Sequence, residues 1–264
     1  MTIADALSPQ QRTPRLAAHG VCVFFGGIRA VDDVSLRVAP GELRGLIGPN
    51  GAGKTTLFDV ISGIRNPTRG TVDFDGRDVT RWTPMARARS GLRRTFQRHQ
   101  VFTWLTVEDN VLAALEWRGW AGGVIGDALA LPWTRRLERS RRERVRELLH
   151  RCGLDAVRDR PVGNLPIATV RMVELARAMV DQPSLLLLDE PTSGLRPVDC
   201  ETVGRLVRDY RDTSACSVVV VEHDIEFVLG LCDRLTVMET GKMIFDGTPS
   251  QARTNTDVRR AYLG

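Results

Sequence analysis

The run Gly48-Pro49-Asn50-Gly51-Ala52-Gly53-Lys54-Thr55 spaces glycines, a lysine and a threonine so that one chain reversal can hold a polyphosphate. Glycines let successive backbone N–H groups converge on an anion. A helix opening at this point adds unpaired N-terminal donors and roughly half a positive charge. Lys54 would reach the β- and γ-phosphates, the Thr55 hydroxyl would bind Mg²⁺, and Thr56 belongs to the same first turn. A Gly-rich turn capping a structural helix is the competing explanation. The context argues against it, because the apolar run Leu43–Ile47 precedes the loop and a helical pattern follows it. All but two of the 37 basic residues are arginine, and one of the two lysines stands inside this loop. Lysine is a compact point charge where arginine is a planar fork.

A second chemical centre lies in Leu185–Glu190, an apolar strand ending in two acids. Ligands of α/β sheets gather at the carboxyl ends of strands. Asp189 would there hold Mg²⁺ through water, and Glu190 would polarise an attacking water. A general base of this kind contributes ~10²–10⁴ in rate. His223 follows the apolar strand Val218–Val221 and could donate to the γ-phosphate or fix the water. Gln97, after Leu92–Phe96, is a neutral side chain able to reach Mg²⁺ or water. Each has a plainer explanation: a solvated strand end before Pro191, a structural histidine. Their conjunction with the phosphate loop favours the chemical one.

The elements that must position these residues can be read from pattern. Short strands separated by Gly26-Gly27 and Pro40-Gly41 fill residues 16–46, and Thr71–Asp75 alternates as a half-buried antiparallel strand. Helices are predicted over 53–62, 106–117 (Thr106 as N-cap), 134–151, 169–181 and 199–211. Strands are predicted at 92–96, 185–188, 218–221, 234–239 and 242–246, followed by a polar tail. Strand–helix alternation with fully apolar strands implies an α/β fold around a central parallel sheet. Antiparallel strands come first, and a helical block is inserted in the middle. The weakly polar stretch 119–133, with Trp117, Trp120 and Trp133 about it, reads as an insertion of unassigned role.

The 264 residues amount to about 1.8 domains on a soft prior. Hydrophobic residues are 42% and charged residues 26%, ordinary for a folded protein. No stretch approaches the ~18 apolar residues of a membrane span, and the N-terminus lacks a signal-peptide pattern. Five scattered cysteines with no CxxC argue against disulfides or zinc and for buried, reduced thiols. The net charge of +5 and the arginine-rich stretch 135–146 invite a nucleic-acid reading. Glu138, Glu143 and Glu147 interrupt that stretch, so a solvated amphipathic helix is favoured and no nucleic-acid partner is expected.

Taken together, the phosphate loop, TFQ, LLLLDEPTSGL and VVVVEHD, in that order, resemble the ATP-binding-cassette (ABC) ATPases over nearly the whole chain from about Leu16. The resemblance implies a P-loop NTPase core with an N-terminal antiparallel β-subdomain and an inserted α-helical subdomain. It divides the chain into a tail (1–15), a core (16–96 and 162–246), a helical subdomain (97–161, with an insertion at 117–134) and a C-terminal segment (247–264). It implies ATP and Mg²⁺ as cofactors, held by Gly48–Thr56 and by Thr55, Gln97 and Asp189, and it implies that Phe25 stacks on adenine. FGGIRAVDDVSL, RTFQ…LTVEDNVL, VEHD and the ending DVRRAYLG are similar to ATPase subunits of branched-chain amino acid importers. That narrower likeness implies a peripheral subunit on the cytoplasmic face of the inner membrane. Its partners would be a second ABC ATPase, two membrane permeases and, indirectly, a periplasmic binding protein. A non-transport regulatory ATPase with weak turnover is the alternative.

Two departures stand out. Where such ATPases carry the signature L-S-G-G-Q, which completes the opposite subunit's site, this chain reads Leu165-Pro166-Ile167-Ala168-Thr169. Pro166 has neither hydroxyl nor N–H, while Thr169 is expected to offer a hydroxyl and to cap the following helix. Arg196 stands where the family usually has Asp or Asn.

Overall fold

The computed structural model describes residues 13–97, 100–115 and 132–263. Most of the expected insertion 117–134 and most of the expected tail therefore lie outside the described residues. Two compact units divide the chain. One lies within Met1–Arg94, Pro183–Ser193 and Val207–Gly264, the other within Thr95–Gln182 and Gly194–Leu206.

In the first unit, β1 (Leu16–Phe25) and β2 (Ile28–Val38) form a hairpin that pairs from Leu16↔Val38 to Phe25↔Ile28. β3 (Leu43–Ile47) precedes the phosphate loop. β4 (Arg69–Phe74) adds to β1 antiparallel, and β5 (Arg77–Asp78) to β4, giving a four-stranded sheet ordered β2-β1-β4-β5. The second sheet contains β6 (Leu92–Arg94), β7 (Leu185–Asp189), β8 (Ser217–Val221), β9 (Arg234–Glu239) and β10 (Lys242–Gly247). Its order is β10-β9-β3-β8-β7-β6, parallel except at β10. Every residue of β3, β7 and β8 is buried, which is why these strands read as mostly apolar runs rather than alternating ones.

The helices are α1 (Lys54–Ser62), α2 (Pro84–Arg89), α3 (Val107–Ala113), α4 (Pro132–Arg151), α5 (Ile167–Met179), α6 (Pro197–Ser214), α7 (Ile225–Leu231), α8 (Pro249–Thr254) and α9 (Thr256–Leu263). One core joins Phe58 and Ile61 of α1 to Leu46, Leu187, Val219 and Val221 of the large sheet. Each such side chain contributes roughly 1.5–3 kcal/mol by leaving water. In the second unit, α3 starts at Thr106, whose side chain accepts the Asp109 N–H at 3.1 Å as the capping rule requires. α3 packs on α4 and α5. Its buried Glu108 faces Arg142, Arg146 and Arg158 at 3.3–3.5 Å. Part of the arginine surplus thus answers an internal acid.

Three expectations need correction. The strand expected over 92–96 ends at Arg94. The polar tail after residue 246 is two short helices, the first closed by a capping box between Thr248 and Gln251. Thr169 does not cap α5, because the helix begins two residues earlier with Pro166 at the N-cap and no side-chain cap bond. Proline's fixed φ suits the entry to a helix.

Candidate nucleotide site

β3 lies between β8 and β9, and β7 flanks β8. Leu46 and Asp189 both pair with Val221, so Gly48, Asp189 and His223 emerge at one carboxyl edge of the sheet. That edge is where a parallel sheet presents its ligands.

The loop after β3 is tightly fitted. Gly48 has φ +154°, and a Cβ there would lie 2.1 Å from the Met238 carbonyl oxygen. Gly53 has φ +95°, and its Cβ would lie 2.2 Å from the Ala30 carbonyl oxygen. Both positions exclude any other residue. Ala52 is buried while Asn50 and Gly51 are exposed, and Gly53 serves as N-cap of α1. Lys54 is 5% exposed. Its ammonium donates to the carbonyls of Gly48 at 2.6 Å and Pro49 at 3.0 Å. Burial pulls its pKa down, and the carboxylates of Glu190 and Asp189 oppose that shift. Thr55 is exposed and Thr56 half-buried in the first turn of α1.

Glu190 follows β7 with φ +48°, a left-handed conformation uncommon outside glycine. Its N–H donates to Val221 at 2.9 Å, and its carbonyl accepts from Ser193 at 3.2 Å. His223 Nε2 lies 2.5 Å from Glu190 Oε1, within hydrogen-bond distance. Asp189 is engaged by Arg94 of β6, which also donates to Asp59 at 2.6 Å and Ser62 at 2.9 Å on α1. Phe25, at the end of β1, is 42% exposed, whereas Phe24 is half-buried. The Arg65 guanidinium stands 4.4 Å from the Phe25 ring centroid.

The structure therefore brings Gly48–Thr56, Asp189, Glu190 and His223 together within the first unit. Gln97, which is exposed, and Leu165–Thr169 belong to the second unit. There Pro166 and Ile167 are exposed, and Arg196 bonds Asp199 at 2.8 Å. That bond raises the Arg196 pKa and lowers that of Asp199.

Four residues were not singled out from sequence. Arg94 sits beside the predicted TFQ segment, where an arginine closing a short strand was the available signal. Arg65 carried no local signal. Glu222 stood in plain view beside His223. Tyr262 of α9 buries its hydroxyl, and that burial pushes its pKa up.

The family profile described as ABC transporter matches residues 31–193. The high-affinity branched-chain amino acid transport ATP-binding protein LivG of Salmonella typhimurium is 38% identical over 95% of this chain and 98% of its own length. BraF of Pseudomonas aeruginosa, described in the same terms, is 36% identical over the same shares. The lipopolysaccharide export system ATP-binding protein LptB of Acidithiobacillus ferridurans is 38% identical over 89% of this chain and 90% of its own. Among solved structures, the ADP conformation of an ATP-binding cassette of an ABC transporter superposes with a TM-score of 0.82 at 27% identity, covering 96% of this chain and all of that one. A nucleotide-free cassette gives 0.80 at 26% identity with the same coverage. A phosphate loop shaped by obligatory glycines, two acids at a neighbouring strand end and relatives matched along nearly their whole length lead to one assignment: this chain belongs to the ABC transporter family, as an ATP-hydrolysing cassette.

Proposed function

We propose that this chain powers an importer of branched-chain or other hydrophobic amino acids from the cytoplasmic face of the inner membrane. Its partners are a second ABC ATPase, two membrane permeases and, indirectly, a periplasmic binding protein. The names of LivG and BraF support the substrate class. No helix among the described residues is long and apolar enough to cross a membrane, which agrees with separate permease subunits.

One observation carries the chemistry: the 2.5 Å approach of His223 to Glu190, beside a lysine-bearing phosphate loop. Lys54 and the first-turn amides of α1 bind the phosphates, exchanging the loop carbonyls that now hold the ammonium for phosphate oxygens. Phe25 stacks on the adenine. Glu190 orients and polarises the attacking water, and His223 holds the Glu190 carboxylate in place. Thr55 and Asp189 would hold Mg²⁺; Gln97, the third ligand expected from sequence, belongs to the second unit. Their donors are hard oxygens, and among the described residues no group of three or more His, Cys, Asp or Glu is placed to hold a metal ion. Such a set fits an ion that keeps its waters and takes other ligands from phosphate. When bound, Mg²⁺ neutralises charge on the transferring phosphoryl group.

The altered signature favours unequal sites. The site built on Lys54 and Glu190 is completed by the partner ATPase's signature and turns over. The partner's own site, completed by Leu165–Thr169, binds ATP but hydrolyses slowly, because Pro166 offers no hydroxyl and no N–H. Arg196, tied to Asp199, replaces the usual linking residue. If such unequal sites extend to the whole assembly, a weakly hydrolysing regulatory ATPase becomes the second reading. The test is ATPase turnover of the complex with Glu190→Gln in this chain. Loss of nearly all hydrolysis is expected, and undiminished turnover refutes the reading.

A further inference from the structure

Glu222 lies one residue before His223 and is 3% exposed. Its carboxylate is not left bare. Oε1 accepts the Thr192 N–H at 2.8 Å and the Thr192 hydroxyl at 2.6 Å, and Oε2 accepts the His223 N–H at 3.2 Å. Thr192 and Glu222 are thirty positions apart and follow different strands. This one side chain therefore ties the turn after β7 to the turn after β8. Those turns carry Glu190 and His223, whose side chains meet 2.5 Å apart.

The turn after β7 needs such a tie. Glu190 holds φ +48°, an unfavourable conformation for a residue with a Cβ. Strained backbone of this kind persists only when its surroundings over-determine it. The bonds of Glu190 to Val221 and of Ser193 to Glu190 fix its backbone from one side. The two Thr192 bonds to Glu222 fix the chain two residues further on. A buried carboxylate has a high desolvation cost, met here by hydrogen bonds from both turns.

We propose that Glu222 is a positioning residue: through Thr192 it keeps Glu190 in its left-handed turn, and through the His223 amide it sets the spacing of the Glu190–His223 couple. The inference rests on the reading of Glu190 as the water-polarising acid. Glu222 is buried and bonds Thr192 and the His223 amide, not the phosphate loop. Its loss therefore acts on the chemical step and leaves phosphate capture by Lys54 intact.

The experiment is ATPase kinetics on the purified chain with its partner subunits, comparing Glu222→Ala, Glu222→Gln, Thr192→Val and the control Glu190→Gln. In Glu222→Ala, kcat is expected to fall at least ~10-fold with the KM for ATP within ~3-fold, the split that marks an interaction acting in the transition state. Glu222→Gln keeps an oxygen for Thr192 but presents hydrogens to the His223 amide, so it recovers part of the rate. Thr192→Val slows turnover less than Glu222→Ala and adds little to it in the double variant, because both cut one link. A folded Glu222→Ala protein with wild-type kcat overturns the inference, as does full additivity with Thr192→Val. If Glu222→Ala does not fold, Thr192→Val and Glu222→Gln decide by the same split: a loss confined to kcat supports the brace, and unchanged kcat overturns it. The control separates the two levels. Wild-type turnover in Glu190→Gln would remove the underlying reading, whereas an inert Glu190→Gln beside an unslowed Glu222→Ala would remove the brace alone.

Discussion

Arg94 and Asp189 form a buried ion pair: Nη2 stands 2.9 Å from Oδ2, and each side chain is 6% exposed. The same guanidinium bonds Asp59 and Ser62 of α1 and stands 5.5 Å from the Phe58 ring centroid. One arginine thereby joins the end of the acid-bearing strand to the helix that carries Lys54.

Removing that arginine takes a guanidinium away from two carboxylates, one of them buried. Arg94→Met is expected to cost about 3–5 kcal/mol of unfolding free energy, the range for breaking one side of a buried pair. Urea unfolding of the purified chain measures it, and a loss below about 1 kcal/mol would show that Arg94 contributes little to the fold.

Phe25 is exposed enough to meet a base, and Arg65 already occupies one face of its ring. Phe25→Ala is expected to weaken ATP binding by ~1–3 kcal/mol, tenfold for each 1.4 kcal/mol. Thermal stability should barely change, since the side chain is not part of the core. Unchanged affinity in a fluorescence titration would return Phe25 to a packing role.

Cys22, Cys152, Cys216 and Cys232 are buried, and Cys200 is intermediate. Burial pushes the thiols of Cys152 and Cys216 up to about 12, and that of Cys232 up as well. Only the thiolate reacts. At pH 8 the native chain should therefore label rapidly at Cys200 alone and at all five positions once denatured, as mass spectrometry after maleimide treatment would show. Rapid native labelling of Cys216 would contradict the packing described.

Most of the fold was legible because its strands are apolar throughout and its loops carry glycine where only glycine fits. Leu185–Asp189 and Ser217–Val221 announced a covered parallel sheet, and Gly48 to Thr55 announced the loop between β3 and α1. What escaped the sequence depends on contacts distant along the chain. Nothing near Arg94 names Asp189, ninety-five positions away, as its partner. Nothing near Thr192 names Glu222. The end of the chain read as polar because α8 and α9 are short and expose most of their surface, so their apolar positions are too few to set a period. Thr169 was misjudged because a helix start is hard to place to within two residues.

The decisive measurement is ATP binding to the Lys54→Ala chain by isothermal titration calorimetry, beside the unaltered chain. A buried ammonium that captures the triphosphate predicts a loss of ~10- to 100-fold, the worth of one charge-assisted hydrogen bond. Equal affinity in a folded Lys54→Ala protein would contradict the site described here.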